Sequence, residues 1–396
     1  MIDAIAKVFN DFDRGTISRR QLLQALGVAA VAAPLSNASA QGSCGAANAG
    51  TPRCNTTLLP PPFAPTGWKT IHFDHFKLQC AEPRLEAAYY ATLMNWKVRS
   101  DDGDKIVLDI GDNFGAVEIR GGYVAPPAPT PAPAAPPAVA GDSSAGRGGR
   151  GAGAAAGGRG GARIPLRAVW DSFCWGIDNW DTKKVETALT ERGLNPVADH
   201  NGKDFQSFHV KDPDGFDVQI SNGSKQNRRT APAKGALPAP APFAPTTWKT
   251  LWLDHISFGV TDYKESAAFY NALLGWKLGA DEGSQNTMEI GPEIGGIIVR
   301  GGNRFAPEGQ RAAGGRGGQA SVRRASMGHI SFGISGWDAA GVKAELDKRG
   351  LTGRADTGGR GDILTAPYQS YHTTTPNGYD LQIGNRTRFD AGGGDR

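Results

Sequence analysis

Seven histidines occur among the 396 residues, and four of them form two matched pairs. His75 and His255 each follow an aspartate, in Phe73-Asp74-His75 and Leu253-Asp254-His255. His209 and His372 each stand ten residues before a glutamine, Gln219 and Gln382. Imidazole suits iron, zinc, nickel and copper, and it is also the side chain that titrates near neutrality. Histidines repeated in step with an amide therefore point to a divalent metal or to general acid–base work. His209 and His372 lie one strand from their glutamines across a tight hairpin, which places each pair on one face. They read as general acids or bases or as extra ligands, against the plainer reading of a histidine bonded to a neighbour. Asp74 and Asp254 are one residue out of phase with the histidines on a strand, so alternation predicts that they face the opposite way and are structural.

The pairs recur because the chain repeats itself. Residues 62–76 and 242–256 are identical at ten of fifteen positions. The similarity continues through Asn95-Trp96-Lys97 and Gly275-Trp276-Lys277. It closes with Asp212-Pro213-Asp214-Gly215 before Gln219 and Thr375-Pro376-Asn377-Gly378 before Gln382. Each half divides again into an alternating apolar strand, a stretch with helical spacing and three short strand-like runs. Helices are expected over 82–94, 181–192, 262–274 and 337–349, with Gly193 and Gly350 ending the second and fourth. The mature chain thus reads as an α+β protein of four βαβββ units, two per domain. Trp68, Trp96, Trp248 and Trp276 are repeated aromatics expected in the core.

The boundaries follow from composition. Residues 66–223 and 246–386 are the two domains, joined by linkers at 41–65 and 224–245 and followed by a tail at 387–396. Glycine and proline are abundant, 55 and 26 residues. They gather in Pro/Ala- and Gly/Arg-rich inserts at 124–163 and 307–325, which bury too little apolar surface to order themselves. Arg-Gly runs can bind RNA, but here a solvated linker is expected and no nucleic-acid partner. The net charge of +4 is too small to argue otherwise.

Residues 1–40 read as an export signal. Ser18-Arg19-Arg20-Gln21-Leu22-Leu23 has the twin-arginine pattern, an apolar run follows, and Asn37-Ala38-Ser39-Ala40 is a small-residue cleavage site. The run is short for a membrane span, so cleavage after Ala40 and a periplasmic or secreted protein without a stable anchor are expected. In an oxidising compartment Cys44 and Cys54 could pair, whereas Cys80 and Cys174 sit in apolar runs and read as buried thiols.

Four βαβββ units in two pairs, opened by Asp-His and closed by an Asp-Pro-x-Gly hairpin, resemble the vicinal oxygen chelate superfamily, which includes glyoxalases, bleomycin-resistance proteins and extradiol dioxygenases. The resemblance implies two half-closed barrels, each with ligands on its first and last strands. It carries the metal role to His75, Glu118, Asp171 and Gln219 in the first domain. In the second it carries that role to His255, His329 and Gln382, with Ile298 at the fourth position. Gln219 and Gln382 stand where glutamate is usual, and Ile298 cannot coordinate. The extradiol set is incomplete: no histidine occurs in Ile363-Leu364-Thr365, and His200 fills that place only in the first domain. The resemblance implies a divalent metal (iron, zinc, nickel or manganese), a small oxygen-bearing substrate, and a lyase, isomerase or dioxygenase. A metal-free binding module and a partner-binding protein with decayed sites stay open as alternatives.

Overall fold

The computed structural model describes residues 59–111, 115–124, 166–200, 204–223, 236–238, 243–281, 285–291, 294–301, 325–359 and 361–385. The export signal, Cys44, Cys54 and nearly all of both inserts lie outside the described residues. The rest forms two eight-stranded sheets, one per half, as the βαβββ reading predicts.

In the first half the elements are β1 (Thr70–Cys80), α1 (Pro83–Leu93), β2 (Lys97–Asp101), β3 (Lys105–Ile110), β4 (Gly115–Arg120), β5 (Ala168–Ile177), α2 (Thr182–Glu191), β6 (Val197–Ala198), β7 (Ser207–Lys211) and β8 (Asp217–Ser221). The second half repeats them as β9 (Thr250–Gly259), α3 (Tyr263–Leu274), β10 (Lys277–Asp281), β11 (Gln285–Gly291), β12 (Gly295–Arg300), β13 (Ser326–Ile334), α4 (Ala339–Lys348), β14 (Arg354–Asp356), β15 (Ser370–Thr374) and β16 (Asp380–Gly384). The sheet orders are β2-β3-β4-β1-β5-β8-β7-β6 and β10-β11-β12-β9-β13-β16-β15-β14. Each unit pairs its first and last strands in parallel, and the two units of a half meet where their first strands run antiparallel, β1 with β5 and β9 with β13. That junction brings the inward residues of four strands side by side.

The predicted helices are present within two residues at each end. Asp181, Asp262 and Asp338 accept hydrogen bonds from backbone amides of the first turn, the usual N-cap device. Gly193 and Gly350 follow α2 and α4 with φ of 73° and 67°, as expected of C′ residues.

Helices α1 and α3 do more than cover their own sheets. The Asp212 hairpin of the first half holds α3: Tyr270 Oη donates to Asp212 Oδ2 at 3.0 Å, and Thr261 N donates to Asp214 Oδ2 at 2.9 Å. The Thr375 hairpin of the second half holds α1: Asn377 Nδ2 donates to Glu86 Oε2 at 2.9 Å. The repeated Pro-Phe-Ala-Pro-Thr segment explains itself here. Thr66 N and Oγ1 donate to Ala272 O and Leu273 O, while Thr246 N and Oγ1 donate to Thr92 O and Leu93 O. Each arm thereby satisfies carbonyls at the C-terminal end of the other half's helix, which the helix itself leaves open. Burial raises the carboxyl of Glu86, and it raises that of Asp212 to about 6. The two halves use opposite donors for the same joint: the acid lies on the helix in one and on the hairpin in the other.

The halves share one core. Trp96 Nε1 donates to Thr250 Oγ1 at 2.8 Å and Trp276 Nε1 to Thr70 Oγ1 at 2.9 Å, each across the joint. Trp96 and Trp276 are buried as expected, while Trp68 and Trp248 are only partly buried against the core. Gly275 ends α3 at φ 69°, where a Cβ would stand 2.3 Å from Trp68 O. Its counterpart Asn95 takes φ 55°, a left-handed conformation that asparagine tolerates. Cys80 and Cys174 are buried free thiols, as read from the sequence.

Candidate functional site

The second half gathers its chemistry on the face shared by β9, β13 and β16. Strand register sets Ile298, Ser257, His329 and Asp380 in one row across β12, β9, β13 and β16. The neighbouring row is Gly296, His255, Ser331, Gln382 and His372. His255 Nε2 and His329 Nε2 are 2.8 Å apart, with their rings edge to face. His255 Nδ1 lies 2.9 Å from Asp254 Oδ2. A carboxylate there fixes the proton on Nδ1 and turns the Nε2 lone pair inward, the arrangement that backs metal-bound histidines.

Asp254 corrects the expectation from alternation. The pairing of Leu253 with Phe332 and His255 with Ser331 makes Asp254 the extra residue of a β-bulge. A bulge re-aims the side chain it carries. Asp254 therefore sits beside His255 and also accepts from Ser331 Oγ at 3.1 Å and Tyr368 Oη at 2.9 Å. Asp74 is the same kind of bulge residue in β1 and meets His75 Nδ1.

Gln382 is fully buried, and its amide nitrogen faces Ser370 Oγ at 2.7 Å, Tyr368 Oη at 3.0 Å and Asp356 Oδ2 at 3.2 Å. Since a carboxylate can only accept, the amide hydrogens point that way. Oε1 is left buried with no hydrogen-bond partner, an acceptor open to a cation or a donor. His372 is different. Its Nδ1 lies 2.7 Å from Asp380 Oδ1 and its Nε2 3.4 Å from Asp356 Oδ2. Burial disfavours the imidazolium, but the hydrogen bonds to Asp356 and Asp380 outweigh it and raise the pKa above the ordinary histidine value. His372 is held as a proton carrier rather than as a lone-pair donor. Its ring meets His329 edge to face at 4.9 Å.

The first half keeps part of this. His209 repeats His372, with Nδ1 2.5 Å from Asp217 and Nε2 3.2 Å from Asp199, and its pKa is raised in the same way. Gln219 Nε2 donates to Ser207 Oγ at 2.8 Å, and its Oε1 is also buried without a partner. His75 is buried, and burial lowers its pKa to about 3 despite Glu118, so the ring is neutral. The matching row is Glu118, Lys77, Ser172 and Asp217. Asp171 is therefore not the counterpart of His329. The register runs from Leu78–Trp170 to Lys77–Ser172, which makes Asp171 the extra residue of a bulge, and its side chain is exposed. Ser172 holds the position of His329. His200 is exposed at the edge, where its Nδ1 accepts from Ser207 N at 3.2 Å.

Among the described residues two groups, one in each half, have the spacing for a metal: Asp74 with His75 and Cys174, and His329 with His372 and Asp380. The first is a poor donor set, because burial pushes the Cys174 thiol up to about 12. In the second, His372 has both nitrogens against carboxylates. Elsewhere on this face His255 and His329 bring two imidazoles together, and Gln382, in the row of His255, leaves its Oε1 without a partner. Sequence reasoning misses Asp356, Tyr368 and Asp380, and it turns Asp254 to the wrong face. Alternation could have found two of them: Tyr368 shares a face with Ser370 and His372, and Asp380 shares one with Gln382. Asp356 comes from a three-residue strand that carries no pattern.

Residues 252–383 match the family model described as the glyoxalase/bleomycin resistance protein/dioxygenase superfamily. No curated protein matches the chain in sequence. Among solved structures, a variant of homoprotocatechuate 2,3-dioxygenase from B. fuscum aligns with TM-score 0.51 at 13% identity, covering 84% of this chain and 75% of that one. A second variant of that enzyme, in complex with HPCA, aligns with TM-score 0.50 at 14% identity and the same coverage, 84% and 75%. A Mn(II)-bound glyoxalase from Novosphingobium aromaticivorans aligns with TM-score 0.49 at 11% identity, covering 80% and 82%. The two dioxygenase alignments show the fold alone, a tandem of domains with a vicinal-oxygen-chelate-like architecture.

Proposed function

We propose that this is an exported metal-dependent enzyme whose second half polarises neighbouring oxygens of a small substrate and moves a proton on it. The observation that carries the reading is the 2.8 Å approach of His255 Nε2 to His329 Nε2, with Asp254 behind His255. His255, His329 and Gln382 Oε1 would hold the ion. When bound, it supplies Lewis acidity toward the substrate oxygens.

The chain's own residues do the rest. Asp254 keeps the proton on His255 Nδ1. Tyr368, Ser370 and Asp356 hold the Gln382 amide nitrogen, which leaves its oxygen unpartnered. Ile298 is 1% exposed, and with no donor of its own it leaves that side apolar. His372 holds a proton between Asp380 and Asp356 and is the group placed to give or take one as general acid or base. Proton transfer of this kind suits lyase or isomerase chemistry better than ring cleavage, for which Ile363-Leu364-Thr365 offers no histidine.

Metal analysis of protein purified without chelator is expected to find about one transition-metal ion per chain, removable by chelator and restored on dialysis. A chain free of metal after both treatments would make the metal-free binding module the better reading. Export through the twin-arginine route is part of the proposal. The recovered protein is expected to begin at Gln41, and N-terminal sequencing that starts at Met1 would count against it.

A further inference from the structure

The two halves keep the same His–Gln–Asp scaffold, yet they differ at one coherent set of positions. Lys77 in the first half stands where Ser257 stands in the second, paired in register with Ser172 and Glu118 as Ser257 is with His329 and Ile298. Lys105 likewise matches Gln285, since they pair with Arg120 and Arg300. The carboxylate and both lysines of the first half are thus replaced together by neutral side chains.

Lys77 is 7% exposed and Glu118 9%. The ammonium of Lys77 lies 3.9 Å from Asp199 Oδ2, and Glu118 is also 3.7 Å from Lys105 Nζ and 3.6 Å from Arg120. Burial raises the Glu118 carboxyl, but the charges of Lys105, Lys77 and Arg120 hold it below its usual range. The negative charge that a metal ion would neutralise is already neutralised from within the chain.

The donors for an ion are otherwise present. His75 Nε2 and Gln219 Oε1 are both buried without a hydrogen-bond partner, in one row of the sheet with Cys174 of β5 between them, and Glu118 adds a carboxylate. On ligand chemistry alone the first half would be the stronger site, since it has the charge that the second lacks. A fixed ammonium beside the donors opposes a dication by direct charge repulsion.

We propose that Lys77 is an internal cation that keeps the first half free of metal, so that this residue decides which half of the repeat is loaded. This rests on the metal reading of the second half only for the claim that one half is loaded. The exclusion itself stands on the first half's geometry.

The test measures bound metal after dialysis against Mn(II) and, separately, Zn(II). It uses the full chain with H255A and H329A together, which silences the second half. With Lys77 in place this chain is expected to retain less than about a tenth of an equivalent. Adding K77S is expected to raise retention to about one equivalent, and adding H75A to that chain should remove it again. K77A, judged folded by circular dichroism, serves if K77S does not fold. Uptake of a full equivalent with Lys77 intact overturns the proposal, because the lysine then excludes nothing. No gain in either folded Lys77 variant also overturns it. If the otherwise unaltered protein carries no metal while K77S gains one ion that H75A abolishes, this proposal stands and the metal reading of the second half falls.

Discussion

Replacing His329 by alanine is expected to weaken metal binding by more than about 100-fold, beyond the ~10–100-fold typical of losing a group that only backs a ligand. His329 supplies one of two imidazole nitrogens that meet 2.8 Å apart, and the remaining donor set has no carboxylate to compensate. Asp254→Asn is the graded comparison. It leaves both ligands in place but weakens the hold on His255 Nδ1, so the loss should fall within the range for a backing group. Equilibrium dialysis with metal quantification separates the two. Equal retention by the His329→Ala and unaltered proteins would place the ion elsewhere. A structural role alone would give unfolding without this ranking, so circular dichroism accompanies each measurement.

Trp276→Ala is expected to lower stability by about 3–5 kcal/mol, the usual cost of deleting a large buried aromatic. Trp276 is fully buried, stacks on Tyr270 at 4.8 Å and meets Trp175 edge to face at 5.2 Å. Its indole N–H also bonds Thr70 of the other half. The loss therefore combines a cavity with one of the two hydrogen bonds that the Thr70 hydroxyl makes across the joint. Trp96→Ala should cost a similar amount, because Trp96 stacks on Tyr90 at 4.8 Å and bonds Thr250 in the same way. Denaturant titration followed by circular dichroism reads both. A shift under about 1 kcal/mol for both variants would mean that the joint does not carry the fold.

Much of the architecture was legible in the sequence, for a physical reason. Strand and helix periodicity are local, and the duplication displayed each pattern twice. The turns at Asp212–Gly215 and Thr375–Gly378 and the glycines after α2 and α4 are local backbone requirements, and the structure shows them where the residues predict. The pairing of His209 with Gln219 and of His372 with Gln382 follows from hairpin geometry in the same way.

The errors share one cause. A β-bulge shifts every later residue by one face, and nothing in the composition of a strand announces it. For that reason strict alternation matches Asp171 with His329, although Ser172 is its counterpart, and turns Asp74 and Asp254 away from the histidines they support. The sequence by itself determined the repeat, the four βαβββ units and the histidines and glutamines that recur in them, because these depend on residue type and local spacing. Only the tertiary structure decided that the repeated Pro-Phe-Ala-Pro-Thr arms clasp the opposite helix. It also decided that a lysine sits among the donors of one half and that two imidazoles meet in the other. Those outcomes depend on strand register and on contacts between residues more than 70 positions apart, which no local pattern encodes.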